Sequence, residues 1–253
     1  TLARRWDSQH LALLVLVPLI VLAPVITDGI TLLLVGFMLA LSAAALPVQL
    51  GRDWIWMHAA RTAATTLPLL VALAAAHFGS ADDPWLLGSA CGIAAALAVV
   101  GALLLLRSTA NPIAIALLTV AGTAPVLGAG VAVDRWLAAM LAATLSLGLL
   151  ALVLLGDRLP GVTGPVAQIW SALSAVSGLL AVTVTFRGPL LAPVLLALAT
   201  VVAVAGRSDL AARWAAIGFG VVGVAVFLNG TPPAALATAT LFPVANTPEK
   251  LLS

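Results

Sequence analysis

GRDWIWMHAARTAATTLPLL, residues 51–70, sets two arginines, an aspartate, a histidine and two tryptophans against the start of an apolar run. In a chain that is only 8% charged, that concentration of polar and aromatic side chains marks an edge. The run beyond it continues to residue 77, and further runs of the same kind lie on either side. A hydrocarbon core about 30 Å thick takes roughly 20 helical residues to cross, and no backbone amide or carbonyl can be left unpaired inside it. Residues 58–77 meet that length, so the stretch reads as a membrane boundary followed by a span.

Composition extends this reading to the whole chain. Hydrophobic residues make up 63% and the mean hydropathy is +1.21, against roughly 45–50% apolar content in a soluble domain. The 11 basic and 9 acidic side chains among 253 residues are too few to coat a soluble globule of this size. Nine apolar runs stand between short polar breaks, at approximately 10–27, 30–48, 58–77, 86–106, 112–132, 136–155, 165–185, 189–205 and 211–228. The expected fold class is therefore all-α: a polytopic transmembrane helical bundle of about nine spans, arranged as successive antiparallel hairpins because the breaks are so short. A membrane barrel would need alternation over about 10 residues, and these runs are continuously apolar. Residues 1–228 form one membrane domain in this reading, and 229–253 an outer-side tail whose prolines favour a short interfacial segment over a further span. The chain opens on Thr1, as a piece of a longer protein would.

Orientation follows from Lys and Arg counted over alternate loops. One side holds Arg4, Arg5, Arg52, Arg61, Arg107, Arg158, Arg207 and Arg213; the other holds Arg135, Arg187 and Lys250. The N-terminal end is accordingly expected in the cytoplasm and the C-terminal tail outside. Trp6, Trp54, Trp56, Trp85, Trp136 and Trp214 fall near span ends, where amphipathic rings suit the water–lipid boundary. Trp170 lies deeper.

Arg61 is the polar residue that the span does not explain. It lies one turn beyond His58 on the same helical face, slightly inside the membrane, and a charge at depth costs several kcal/mol unless it snorkels or is paired. Snorkelling to the interface is one reading, and an ion pair with Asp53 or Asp157 another. The functional reading is a lipid head-group site of Arg61, His58, Arg52, Thr62 and Thr65. Gln168, Ser171, Ser174 and Ser177 recur at three-residue spacing, a stripe read as close helix packing, with a polar conduit as the alternative.

No sequence pattern for hydrolysis, phosphate cradling or paired-cysteine chemistry occurs, and His10, His58 and His77 do not make a metal set. No catalytic residue, metal or cofactor is therefore assigned. The adjacent acids Asp82 and Asp83 keep an outer-facing membrane glycosyltransferase as a third reading. Asp28, Asp134, Asp157 and Asp209 sit in turns, as ordinary turn or cap residues, which disfavours a carboxylate-driven pump. The lone Cys91 excludes an intrachain disulfide. No basic-aromatic interleaving points to nucleic acid.

VLAPVITDGITLLLVGFMLALSAAALPVQLGRDWIWM, residues 21–57, combines a proline-containing span end, a tight turn, a long apolar span and then Arg and Trp at the next interface. It resembles an uncharacterised family of bacterial multi-pass membrane proteins defined by a domain of unknown function. The resemblance implies an array of membrane hairpins and no catalytic residues. Ten arginines against one lysine, with abundant Ala, Val and Gly, suit a high-GC bacterial genome and an inner membrane. The expected role is a scaffold or lipid-handling accessory subunit in cell-envelope assembly, with membrane lipids and other envelope proteins as partners. A transporter or flippase-like protein for a lipid-linked precursor is the alternative.

Overall fold

A computed structural model of the chain describes residues 9–26, 31–79, 83–159, 161–162, 164–186, 190–205 and 210–230. Arg4, Arg5, Trp6, Asp28, Asp82, Arg187, Arg207, Asp209, Lys250 and the tail from 231 onward lie outside the described residues.

Nine α-helices follow one another among the described residues: α1 (Gln9–Ile26), α2 (Leu32–Gln49), α3 (Ile55–His77), α4 (Pro84–Leu105), α5 (Pro112–Gly128), α6 (Arg135–Leu154), α7 (Pro165–Thr185), α8 (Leu191–Ala205) and α9 (Leu210–Gly230). Single 3-10 turns, Ala129–Val131 and Gly156–Arg158, extend α5 and follow α6. The helices occupy the nine expected ranges, and among the described residues seven, α2 to α7 and α9, stand as long and apolar enough to cross a membrane. With 15 residues, α8 is shorter than a full crossing.

Local chemistry sets the helix starts. Asp83 and Asp134 accept backbone N–H groups of Trp85 (2.9 Å) and Trp136 (3.0 Å), and Thr31 that of Leu34 (3.2 Å), satisfying donors that the first turn leaves orphaned. Pro84, Pro112 and Pro165 each open a helix, where the missing N–H costs nothing. At the opposite end of α3 from its start, His77 reaches the carbonyl of Val131 (3.2 Å).

Packing follows the rule for helices surrounded by hydrocarbon, where small residues permit the close approach that dispersion forces need. On α4, Ala90, Ala94, Ala98 and Ala102 recur every fourth residue and all are buried. A Cβ added at Gly122 of α5 would collide with Ala98, so the two backbones meet there. One apolar cluster gathers Val35, Leu69, Cys91 and Val126. A second gathers Leu105, Ile115, Leu149 and Trp170, and Trp170 is wholly buried rather than at a boundary. Trp56, Trp85, Trp136 and Trp214 are exposed at helix ends, whereas Trp54 is buried with the Arg52 guanidinium 5.0 Å from its ring centre.

Helices α6 and α7 form the most extensive pair and share a reciprocal polar clasp. Ser146 Oγ donates to the carbonyl of Ser174, and Ser174 Oγ to the carbonyl of Ser146, both at 2.8 Å. Gly178 lets the helices close this tightly, since a Cβ there would lie 3.0 Å from Ser146 Oγ. Ser146→Ala and Ser174→Ala should each cost roughly 0.6 kcal/mol, the ordinary worth of an interhelical hydrogen bond in a membrane protein. Gly178→Leu, which overfills the contact, should cost about 1–3 kcal/mol. Unfolding in mixed micelles checks both, and a Gly178→Leu cost no larger than that of the serine variants would remove the close approach as their cause.

Candidate functional site

The turn between α2 and α3 is tied to the turn between α4 and α5. Both carboxylate oxygens of Asp53 are engaged there, one by the hydroxyl of Thr109 (2.8 Å) and the other by the backbone N–H of Ala110 (3.0 Å). Asp53 is thus not the partner of Arg61, and that ion-pair reading is set aside. The side chain of Asp157 lies outside the described residues.

One turn into α3 the side chains turn inward. Arg61 is 2% exposed and His58 1%, so Arg61 does not snorkel to the interface. Arg61 Nη2 lies 2.9 Å from His58 Nδ1, the guanidinium's one hydrogen-bond partner among the described residues. A guanidinium only donates, so Nδ1 accepts and the ring proton sits on Nε2. Both Arg61 Nη1 and His58 Nε2 are buried without a partner. The pair therefore presents two unused donors and a positive charge, and no carboxylate contacts it among the described residues. An uncompensated buried charge is expensive, so the arrangement calls for a negatively charged acceptor.

The guanidinium has room because of Gly101 on α4. A Cβ added at Gly101 would collide with Nη2 and lie 3.2 Å from Cζ and 3.4 Å from Nη1. The flat cation rests on bare backbone. Beside it Thr62 turns its methyl toward α5, 3.2 Å from where a Gly122 Cβ would stand. The Thr62 hydroxyl donates to the carbonyl of His58, and those of Thr65 and Thr66 to that of Thr62, each at 2.9 Å. Such back-bonding spends these protons within the helix. On α5, Thr119 and Thr123 do the same toward Ile115 (2.9 Å) and Val120 (3.0 Å).

Of the five expected head-group residues, the structure joins His58 and Arg61 directly. Thr62 and Thr65 follow on the same helix with their hydroxyl protons spent, and Arg52 stacks on Trp54 instead. Gln49, unforeseen, is 1% exposed at the end of α2, with its amide oxygen and nitrogen both unpartnered. The serine stripe divides. Ser174 belongs to the clasp, Ser177 and Ser171 donate to the carbonyls of Leu173 (2.8 Å) and Gln168 (2.9 Å), and Gln168 lines a lateral apolar cleft of about 360 Å³ with Trp214 and Phe219. Asp83 is exposed and engaged as a helix cap. No group of three metal-ligating side chains occurs among the described residues.

No protein-family model, curated protein or solved structure matches this chain.

If Gly101 is the seat of the guanidinium, Gly101→Ala should destabilise the fold by more than 1 kcal/mol, because the displaced charge has no other place in the core. Arg61→Met alone should be close to neutral, as apolar replacements of buried charges often are. Combining the two should recover most of the loss. A double-mutant cycle in micelles measures this coupling, and additive effects would dissociate Gly101 from Arg61.

Proposed function

We propose that this chain is a multi-pass protein of the bacterial inner membrane that serves cell-envelope assembly as a lipid-handling accessory subunit, with the Arg61–His58 pair receiving an anionic lipid head group. The observation that carries this reading is the donor-only cluster: a buried cation and two unpartnered N–H groups, with no acid of the chain beside them among the described residues. A phosphate oxygen supplies both the charge and the lone pairs that such a cluster lacks. Gly101 of α4 lies directly against the guanidinium, so a small shift of α4 away from α3 is a route by which a head group reaches it.

The reading includes all nine helices as membrane elements in successive antiparallel hairpins, the N-terminal end in the cytoplasm, and other envelope proteins as partners. The excess of arginine on one set of loops supports the orientation. Transport of a lipid-linked precursor would use the same residues, but Arg61 is sealed at 2% exposure. A static binding role therefore fits the arrangement better.

Two measurements test this. Purified in nanodiscs from native membrane, the protein should retain an anionic lipid that Arg61→Ala loses and Arg61→Lys partly keeps. Identical lipid profiles by mass spectrometry for all three proteins would sink the head-group reading. For orientation, Phe78→Cys and Ala110→Cys, each exposed at opposite ends of α4, should react with an impermeant maleimide from opposite sides of intact cells in a Cys91→Ser background. Labelling of both from one side would overturn the hairpin topology.

A further inference from the structure

A second feature lies on the flank of α4 that faces α6. Gly92, Ala96, Val99, Val100 and Leu103 recur as one helical stripe. With Leu141, Gly148 and Leu152 of α6 opposite, the stripe bounds an apolar trough of about 400 Å³. A smaller cavity of about 220 Å³ continues from it, sharing Val100 and Leu103, and ends at Arg107 and Leu159. Gly161, at φ 91°, packs its turn against Leu106 beside this mouth, since a Cβ added there would lie 2.9 Å from the Leu106 carbonyl oxygen.

Three properties of the trough identify its occupant. From Gly92 to Leu103 it runs about 17 Å at the helical rise, close to the half-thickness of a hydrocarbon core about 30 Å deep. Its interior offers no free polar proton, since the one hydroxyl there, on Thr144, donates to the carbonyls of Met140 (2.8 Å) and Leu141 (3.0 Å). Its mouth carries the exposed cation Arg107, which has no hydrogen bond or ion pair among the described residues. We propose that the trough holds one acyl chain of an anionic phospholipid whose phosphate rests on Arg107. The site is separate from Arg61, which lies against Gly101 rather than against the stripe.

Gly148 provides a direct way to block the trough. A Cβ there meets nothing within 4 Å, so a side chain added on this wall of the trough starts in open space. The experiment uses the full chain in phosphatidylcholine nanodiscs, with trace phosphatidylglycerol or phosphatidylcholine carrying a diazirine in one acyl chain. After irradiation, peptide mapping reads the labelled segments. The phosphatidylglycerol probe should label residues 92–103 and 141–152 above the phosphatidylcholine probe. Arg107→Gln should lower that preference about fivefold, the worth of one basic residue at an anionic surface, and Arg107→Lys should restore it. Gly148→Leu should remove labelling of these segments by both probes. Equal labelling by the two probes in the wild type, or Gly148→Leu labelling like the wild type, overturns the proposal. Because Arg107 is exposed, its substitution tests the site even if Gly148→Leu does not fold. Arg61→Ala should leave the labelling unchanged, so the two lipid readings fail independently.

Discussion

Helices surrounded by hydrocarbon gain little by hiding apolar side chains from one another, and this single constraint orders the structure. What remains to hold them is contact at short range and a few hydrogen bonds. The alanine row of α4, the meeting of Gly122 with Ala98, and the Ser146–Ser174 clasp are each answers to it. Where the contact is closest, between α4 and α5 and between α6 and α7, the side chains are smallest or reach across to the neighbouring backbone.

The same close approach that stabilises the bundle makes room for the deeply buried Arg61, the one Lys or Arg buried among the described residues. A guanidinium is broad and flat, and a helix that presents bare backbone at Gly101 can accept it edge to face without opening a cavity. His58 then occupies one donor and leaves the others aimed inward. Placement of a charge where lipid cannot solvate it is costly. The site therefore stands apart from the helix starts, where caps satisfy the first amides, and from the threonines, whose hydroxyls bond within their own helices.

Much of this was legible in the sequence. Helices in membranes are written as long apolar runs, so their ranges were readable to within a few residues, and α7 begins and ends where its run does. Acidic residues in the breaks pointed to cap chemistry, which Asp134 performs, whereas Asp83, read as one of an acid pair, is a cap as well. The His58–Arg61 pairing was visible because it is local, one turn of one helix. Direction was not. Nothing near Arg61 in the chain says that its side chain points at α4, because the residue that admits it stands 40 positions away and is marked only by lacking a side chain. Ser146 was missed for the same reason, its partner being on the next helix. Trp54 stands at a helix start as a boundary residue would, yet it is buried, with the Arg52 guanidinium 5.0 Å from its ring centre.

The Asp53 tie has a mechanical meaning. By holding Thr109 and Ala110 it joins the entrance of α3 to the turn that leaves α4, so at this end of the bundle the helices carrying Arg61 and Gly101 are fastened together. Any separation of the two must then pivot about that fastening, and the far ends of α3 and α4 travel farthest. The surface nearest the buried charge is the part of the molecule with the least leverage to move, and a small displacement at the Arg61 seat corresponds to a much larger one at the opposite face of the membrane.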